Sequence, residues 1–522
     1  MLIAGIILFL IIIFISSFVL RYRGVRLAYL WLSLVGATFL VWLILLFTQP
    51  SNISPWIIEN WIEIGGSPVS LNFQINNSNW PISLTFFSLL IAFYLTSIIY
   101  LKGSASLYEW VEMGLLILSG WVVVMAQDYW AILIGWTLID FVELIFHFHH
   151  KALTSKTFYS HFLIKFMGSL LLIFGISRSF QINPIVLFEK KVDGIGLLLP
   201  LAALLHSGVL VNHPETPDQD PKTKTLLIFL RIISFVTSFF LLIYVPVPTL
   251  TFPLNMVLKI ACFTGAVVPM YGWATDKERV PKIRKFLIAF SAVLFLMFLS
   301  GSGKFLELWL IFPVFPFGWL TIFSEREPKL QLLVFILGFL IAGFPYSISF
   351  NGLFQLSQQR QWLDMILILV PMMLALSGFL QHGLKTKGNF QGIEPWYQFI
   401  YIIGLVFPLL TTTAVIAKIS FPSLENFGSW WIGLIMSIIS LLLYYFQIKK
   451  TEPDINIKPL GKIKWFSSLK VGIQYFGNYI YFGVENALLF FSSLFERNGG
   501  ILWSIVFLVL IISLLTFQGA GQ

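Results

Sequence analysis

Apolar segments long enough to cross a lipid bilayer recur along the whole chain, and short polar connections separate them. A membrane-spanning helix needs about 20 apolar residues, so the pattern predicts about sixteen spans. They lie near residues 2–20, 27–48, 82–101, 108–126, 129–147, 157–177, 194–211, 224–244, 253–274, 286–300, 304–323, 329–350, 361–381, 395–417, 427–447 and 500–516. Residues 459–497 instead mix charged and aromatic side chains, a pattern typical of an amphipathic helix on the membrane surface.

Composition supports this fold class. Hydrophobic residues make up 58% of the chain and charged residues 11%, whereas soluble domains are about one quarter charged. We therefore predict an all-α, polytopic membrane protein. The single cysteine, Cys262, excludes an internal disulfide and a thiolate metal cluster. No glycine-rich phosphate loop follows a strand, so we expect no cofactor in this chain and assign any redox chemistry to a partner.

Basic residues between the spans predict the orientation in the membrane. Of the 33 lysines and arginines, about 23 follow odd-numbered spans, and about 6 lie in the opposite connections. Because positive charge marks the cytoplasmic side, both termini are predicted to lie outside the cytoplasm. Residues 1–20 lack a basic start and a cleavage site, which favours a retained span over a signal peptide. Residues 49–81 contain no lysine or arginine and are predicted to lie along the external interface.

Two predicted spans contain helix-breaking residues, Pro200 and Pro345, and each removes a backbone hydrogen bond. If spans four to eight and nine to thirteen form two inverted five-helix repeats, the breaks occupy equivalent positions, as in transport sites near the membrane midplane. Proline also occurs in ordinary membrane helices, so simple kinks are the alternative. The predicted organisation is helices 1–3 (1–107), a first repeat (108–244), a second repeat (253–381), two helices (395–447), the surface helix (459–497) and a final span (500–522).

Polar and ionisable side chains share one face of the fifth predicted span. Thr137, Asp140 and Glu143 are three residues apart, and His147 and His150 continue this face toward the cytoplasmic end. At about 1.5 Å per residue, the two acids lie about 10–15 Å below that end. Charged groups in lipid are costly, so their presence indicates a function.

The next three spans each place one basic or titratable side chain at a similar depth: Lys165, His206 and Arg231. We predict that the acids pair with Lys165 or Arg231, with His206 beside them. Carboxylates, a lysine and an imidazole in a row can relay protons, because each can hold or release one when a neighbour changes charge. The alternative is a structural ion-pair cluster that conducts nothing. Lys259, in the ninth span, is a further candidate for the pathway.

Glu143, His147 and His150 also have spacings that could hold a metal ion. Histidines at a helix end near the membrane surface commonly extend toward water, however. We therefore predict no metal site.

The loop after the seventh span carries the residues of a recognisable motif. It begins at His206, and Ser207, His213, Pro217 and Asp218 fall in register with the pattern of the antiporter-like membrane subunits. This family is shared by respiratory complex I, multisubunit cation/proton antiporters and membrane-bound hydrogenases. Further similar segments are Gly135-Trp136, Arg284 to Ser291, and Ala342 to Pro345. The chain thus resembles a divergent member of this family.

The chain departs from the family pattern at its key positions. Thr137 stands where the family has glutamate, and His206 stands where it has lysine. Asp140 and Glu143 could replace the missing acid. Between Lys329 and Arg360 there is no Asp, Glu, Lys, Arg or His. Any conduction is therefore predicted to use the first repeat only.

The resemblance implies a subunit of a multisubunit membrane complex related to complex I. Such a subunit would move protons or monovalent cations while a partner performs the redox chemistry. Two alternatives remain open, a membrane subunit of an inorganic-carbon uptake complex and a scaffold whose ion pairs only hold helices together. Nucleic acid is not an expected partner, because the basic residues are accounted for by orientation in the bilayer.

Overall fold

The computed structural model describes most of the chain up to residue 451. The described residues are 2–48, 50, 53–64, 67–100, 106–150, 156–182, 197–211, 221–247, 250–275, 280–301, 306–322, 330–344, 347, 353, 361–384, 390, 392–419 and 430–451. The predicted surface helix 459–497 and the predicted last span therefore lie outside the described residues.

Helices dominate the described residues. They are α1 (Leu2–Tyr22), α2 (Leu27–Phe47), α3 (Trp80–Thr96), α4 (Leu107–Met125), α5 (Tyr129–His149), α6 (Lys156–Ile182), α7 (Leu198–His206), α8 (Pro221–Phe240), α9 (Phe252–Thr275), α10 (Val280–Leu299), α11 (Leu306–Phe312), α12 (Gly318–Ile322), α13 (Gln331–Ile341), α14 (Trp362–Leu384), α15 (Pro395–Ile419) and α16 (Trp430–Thr451). Short 3₁₀ segments follow α3 and α8, at Ser97–Tyr100 and Leu241–Ile243.

Ten helices of the described residues are long and apolar enough to cross a membrane. Three shorter apolar segments, Leu306–Ile322, Gln331–Ile341 and Trp431–Tyr445, accompany them. The predicted all-α, multi-pass membrane fold is therefore confirmed. The count of sixteen spans and the arrangement in two repeats stay predictions.

The helix that carries His206 continues for six residues after Pro200, the residue predicted to break it. Pro200 lies in the first turn of α7, where a missing N–H leaves no helical bond unmade. The interruption instead follows His206, where Gly208 adopts a φ of 65°, a left-handed conformation that suits glycine at a helix C-terminus. His206 is thereby held at a helix end, next to a change in chain direction.

Two further helices are irregular in the second half of the chain. A π-helical segment, Pro313–Phe317, joins α11 to α12, because Pro313 and Pro316 cannot donate backbone hydrogen bonds. Helix α13 ends at Ile341, and Gly343 has a φ of 77°. The predicted break at Pro345 itself lies outside the described residues.

A β-hairpin occupies the segment that is predicted to lie along the external interface. Strands β1 (Trp56–Ile64) and β2 (Ser67–Phe73) pair antiparallel, with a register shift between Ile58 and Ile62. Asn60, inside this bulge, has a φ of 51°. In β2, buried Val69, Leu71 and Phe73 alternate with polar or exposed positions, the period expected of a half-buried strand. This alternation was visible in the sequence.

Asp128 fastens the hairpin to the connection between α4 and α5. Its Oδ1 accepts a hydrogen bond from the Ala131 amide at 2.7 Å, which caps α5. Its Oδ2 accepts from the Asn72 amide at 2.7 Å, and the Gln127 amide donates to the Asn72 carbonyl at 2.9 Å. One carboxyl therefore joins a helix start to a strand end.

Neutralisation of Asp128 should make the stability of the fold less dependent on pH. Burial raises the pKa of Asp128 from 3.8 to about 6, against the lowering effect of its backbone hydrogen bonds. A carboxyl whose pKa rises on folding contributes its full stability below pH 3.8 and loses it as pH rises through about 6. One pKa unit corresponds to about 1.4 kcal/mol, so the loss at neutral pH is about 3 kcal/mol.

Asp128→Asn keeps one acceptor and should cost about 1 kcal/mol at low pH. Thermal unfolding of the detergent-solubilised protein at a series of pH values measures both effects. The wild-type midpoint should fall more steeply than that of Asp128→Asn between about pH 4 and about pH 6. Parallel curves would show that Asp128 titrates normally in the folded state.

Candidate functional site

Close packing of α6 against α7 brings together the ionisable residues of four consecutive helices. Gly168 lies three residues after Lys165 on α6, and a Cβ atom there would lie only 2.8 Å from the Ala202 carbonyl oxygen of α7. Only glycine permits this approach of the two backbones. Helices α5 and α8 complete the enclosure, since both contact α6 or α7 as well as each other.

Lys165 lies between two carboxylates at the centre of this enclosure. Its Nζ is 2.6 Å from Asp140 Oδ1 and 2.6 Å from Glu143 Oε2. Lys165 and Glu143 are fully buried, and the Asp140 side chain is 14% exposed. Buried ion pairs hold only if their geometry is good and further hydrogen bonds complete them. The two ammonium–carboxylate contacts satisfy the first condition.

Two imidazoles meet Glu143 from the side that faces the cytoplasm in the predicted orientation. His161 Nε2, on α6, lies 2.8 Å from Glu143 Oε1. His147 Nε2, one turn after Glu143 on α5, lies 3.6 Å from the same oxygen. Both rings are buried. Glu143 thus contacts a lysine through one oxygen and histidines through the other.

His206 extends the chain of contacts beyond Asp140. Its Nε2 lies 3.4 Å from Asp140 Oδ2, and its Nδ1 lies 2.8 Å from Ser238 Oγ on α8. The Ser238 hydroxyl donates to the Ser234 carbonyl at 2.7 Å. Trp136 stacks on the imidazole, with ring centroids 4.0 Å apart and an interplanar angle of 7°. This stacking fixes the plane of the ring, with Nδ1 toward Ser238.

We name the sequence of contacts His161, Glu143, Lys165, Asp140, His206 and Ser238 the buried polar chain. Within it, two carboxylates face one ammonium, so neutral imidazoles would leave one negative charge uncompensated. Uncompensated charge is costly in a buried site. A proton on one imidazole would remove this imbalance. The arrangement thus places titratable imidazoles beside both carboxylates.

The structure does not place every predicted pathway residue in the buried polar chain. Thr137 is exposed on the outer surface of α5, where its hydroxyl donates to the Ile134 carbonyl at 2.7 Å. Lys259 lies in the second half, where its Nζ contacts both oxygens of Asp364 at 2.9 and 2.7 Å. Arg231 is buried on α8, with Ser234 and Ser238 three and seven residues further along the same helix.

The motif after α7 is only partly described. The Ser207 hydroxyl donates to the Leu204 carbonyl at 2.6 Å and helps to end the helix. Arg284 donates to the carbonyls of Val209 and Leu210 at 3.2 and 2.8 Å, which anchors the turn to α10. His213, Pro217 and Asp218 lie outside the described residues.

His161 was missed at the sequence level, although it precedes Lys165 by four residues. This spacing puts both side chains on the same face of α6. His161 also lies near the predicted start of a span, where polar residues are common, so its type and position alone do not indicate a function. The three residues with metal-binding spacing, Glu143, His147 and His150, do not form one group. His147 contacts Glu143, whereas His150 Nε2 lies 3.5 Å from Glu112 on α4.

An aromatic cluster lies among the helices of the predicted second repeat. Phe286 stacks on Phe317 with ring centroids 3.6 Å apart, and Trp273 meets Phe317 at 5.2 Å. Phe290 and Phe312 stack at 5.2 Å. These rings fill buried positions with apolar atoms, whereas the first half has charged groups between its helices.

Comparison with known proteins identifies the fold. No family profile matches the sequence, and no curated protein matches it. A chain of the Mrp complex from Dietzia sp. DQ12-45-1b aligns with a TM-score of 0.64 at 12% identity, covering 100% of this chain and 63% of that chain. A chain of respiratory complex I from Thermus thermophilus with bound aureothin aligns with a TM-score of 0.56 at 14% identity. The alignment covers 79% of this chain and 97% of that chain. A chain of the membrane-bound sulfane sulfur reductase, an archaeal respiratory membrane complex, aligns with a TM-score of 0.63 at 12% identity. The alignment covers 97% of this chain and 99% of that chain.

These similarities confirm the predicted resemblance at the level of the fold. The chain folds like membrane chains of multisubunit complexes. It spans 63% of the length of the Mrp chain that it resembles. At 12 to 14% identity the likeness establishes the fold alone.

Proposed function

We propose that this chain is an antiporter-like subunit of a multisubunit membrane complex and moves protons, or a monovalent cation, along the buried polar chain. The observation that carries the proposal is the continuity of contacts from His161 to Ser238 across four helices. Each link joins groups that can exchange a proton or respond to a neighbouring charge. Structural likeness to chains of three multisubunit membrane complexes supports other membrane subunits as partners.

Charge coupling gives a mechanism for transfer. A proton that arrives on His161 strengthens its contact with Glu143 and weakens the hold of Glu143 on Lys165. The ammonium of Lys165 then moves closer to Asp140. The negative charge of Asp140 therefore stabilises a protonated His206 less strongly. His206 can then release its proton from Nδ1 to water beyond Ser238, whose hydroxyl stays protonated and hydrogen-bonded to the Ser234 carbonyl. Each step keeps the total charge of the buried site near neutrality, which low-polarity surroundings favour.

We further propose that residues 108–244 and 253–381 are two inverted repeats and that only the first conducts. Lys259 and Asp364 form a self-contained ion pair in the second. The aromatic cluster around Phe317 fills buried space in this repeat with apolar rings. A redox or ion-transporting partner would supply the driving force, in a prokaryotic plasma membrane, with both termini on the non-cytoplasmic side.

Proton flux in proteoliposomes that contain the purified assembly tests this division. Glu143→Gln keeps the size of the side chain but removes its charge, and flux driven by a pH gradient should fall by about 100-fold or more, as for loss of a proton-transfer group. The matched control removes the second ion pair as a unit, with Lys259→Met and Asp364→Asn together, and should leave the flux unchanged.

Three results would oppose the proposal. Equal flux in Glu143→Gln and the wild type would favour the scaffold alternative. Loss of flux in the control, with the assembly intact, would place conduction in the second half. Co-purification of a zinc-containing soluble partner in place of redox or transport subunits would favour the inorganic-carbon alternative.

A further inference from the structure

A second cluster of polar side chains joins α4 to the end of α5 and is separate from the buried polar chain. Glu112 Oε1 lies 2.8 Å from His149 Nδ1, and Glu112 Oε2 lies 3.5 Å from His150 Nε2. The three ligand atoms, one from each residue, all lie within 4.8 Å of one another. Neither Asp140 nor Lys165 contributes to this group. A function for it must therefore be sought outside the proposed relay.

The end of helix α5 explains how neighbouring histidines converge. Consecutive residues of a helix point about 100° apart, so two adjacent imidazoles inside a helix face different directions. His150 is the C-terminal cap residue, with a φ of −89° and a ψ of 12°. At this end of the helix its ring lies against Glu112, with Nε2 3.5 Å from Oε2. One ring presents Nδ1 and the other Nε2, which compensates for the different starting points of the side chains.

Hydrogen bonding alone leaves this cluster incomplete. Among the residues that the structure describes, Glu112 Oε2 and His150 Nε2 are buried atoms that lack a hydrogen-bond partner. Buried polar atoms without partners cost free energy. An ion pair between His149 and Glu112 satisfies only Oε1. A cation bound by both imidazoles and by the Glu112 carboxylate through both of its oxygens would give the remaining oxygen and nitrogen a partner as well.

The distances fit a small transition-metal cation. Zinc binds imidazole nitrogen and carboxylate oxygen at about 2.0–2.2 Å, which puts neighbouring ligand atoms of a tetrahedral site about 3.3 Å apart. The separation is 2.8 Å from His149 Nδ1 to Glu112 Oε1 and 3.5 Å from His150 Nε2 to Glu112 Oε2, so each imidazole lies near this distance from one oxygen of the carboxylate. Two imidazoles and one carboxylate are ligands that suit Zn²⁺ and its first-row neighbours, whereas Mg²⁺ and Ca²⁺ prefer oxygen.

Aromatic contacts orient the ligands before a metal arrives. The His149 ring lies 4.9 Å from the Tyr108 ring, and the His150 ring lies 4.5 Å from the Phe146 ring. The Glu112 and His150 side chains are 8% and 15% exposed, whereas His149 is 38% exposed. The site is thus closed on the protein side and open at His149, where a fourth ligand such as water can enter.

We propose that Glu112, His149 and His150 form a binding site for a divalent transition-metal ion such as Zn²⁺. A bound ion would fix the start of α4 to the end of α5 on the side predicted to face the cytoplasm. The inference does not rest on the proposed function, because its residues and its readout are separate from proton flux.

Metal binding by the intact protein tests the site. The full chain, purified through a tag without histidine and treated with a chelator, is titrated with Zn²⁺ by calorimetry and with Co²⁺ by visible absorption. A Cys262→Ser background removes the single thiol. One equivalent of metal should bind. Glu112→Gln, His149→Asn and His150→Asn should each weaken binding by about 100-fold, because each removes the contribution of one ligand to the binding free energy. Glu109→Gln, one turn earlier on α4, is the matched control and should bind normally.

A measurement on unmutated protein protects the test against misfolded variants. Diethyl pyrocarbonate modifies accessible imidazoles, and mass spectrometry of the peptides reports each histidine. Zn²⁺ should slow modification of His149 and His150 markedly. Unchanged modification, or full binding in all three ligand variants, would show that the cluster is an ion pair only and would overturn the proposal.

Discussion

Replacement of Lys165 by methionine should destabilise the protein more than any other single change in the buried polar chain. Lys165 is fully buried and contacts both Asp140 and Glu143 at 2.6 Å. Methionine has similar length but no charge, so two carboxylates would share a buried space without a cation. Breaking a buried pair by removing one partner costs about 3–5 kcal/mol. Thermal unfolding in detergent should show the loss, together with a lower yield of assembled protein.

Compensating variants distinguish loss of charge balance from loss of packing. Lys165→Met combined with Glu143→Gln and Asp140→Asn has no uncompensated carboxylate and should recover most of the stability. Proton flux should stay absent, because no relay groups remain between His161 and His206. If the triple variant is as unstable as Lys165→Met alone, the lysine stabilises the fold by packing, and the argument from charge fails.

Replacement of His206 by phenylalanine should stop transport while the fold stays intact. In the wild type the His206 and Trp136 ring centroids lie 4.0 Å apart. Phenylalanine can keep this stacking but has no nitrogen to contact Asp140 or Ser238. The relay is then interrupted at one link, and flux should fall by about 100-fold or more, as for loss of a group that transfers protons. Flux in proteoliposomes and unfolding temperature are measured on the same preparation.

His382→Phe provides the matched control. His382 is also a buried histidine beside a tryptophan, with its Nε2 3.1 Å from the Trp273 carbonyl oxygen and its ring 5.1 Å from the Trp273 ring. It lies on α14, away from the buried polar chain. Flux should be retained in this variant. Equal losses in both variants would mean that any bulky replacement of a buried histidine impairs the protein.

The sequence allowed the membrane fold and the central cluster to be predicted. Apolar segments of spanning length report directly on helices in lipid. Asp140, Glu143, Lys165 and His206 stand out because charges in such segments need partners. The pairing of Lys165 with the two acids follows from this need. The choice of Lys165 over Arg231 as their partner could not be made from depth alone, because depth says nothing about rotation of a helix.

Rotation and local backbone geometry account for what the sequence did not reveal. Thr137 is three residues from Asp140, yet it lies exposed, because the face of α5 that meets α6 and α7 is narrower than the polar stripe. Lys259 pairs with Asp364, more than one hundred residues away. The convergence of His149 and His150 on Glu112 depends on a turn at the end of α5. No helical periodicity predicts that turn.

A double substitution tests most directly whether the buried polar chain is one conducting path. Groups that act in series give non-additive effects, because a path broken once carries nothing more to lose. Flux through proteoliposomes should therefore be equally low in Glu143→Gln, in His206→Phe and in the combined variant. Losses that multiply in the combined variant would show that Glu143 and His206 act on separate routes, and unchanged flux in either single variant would contradict the account.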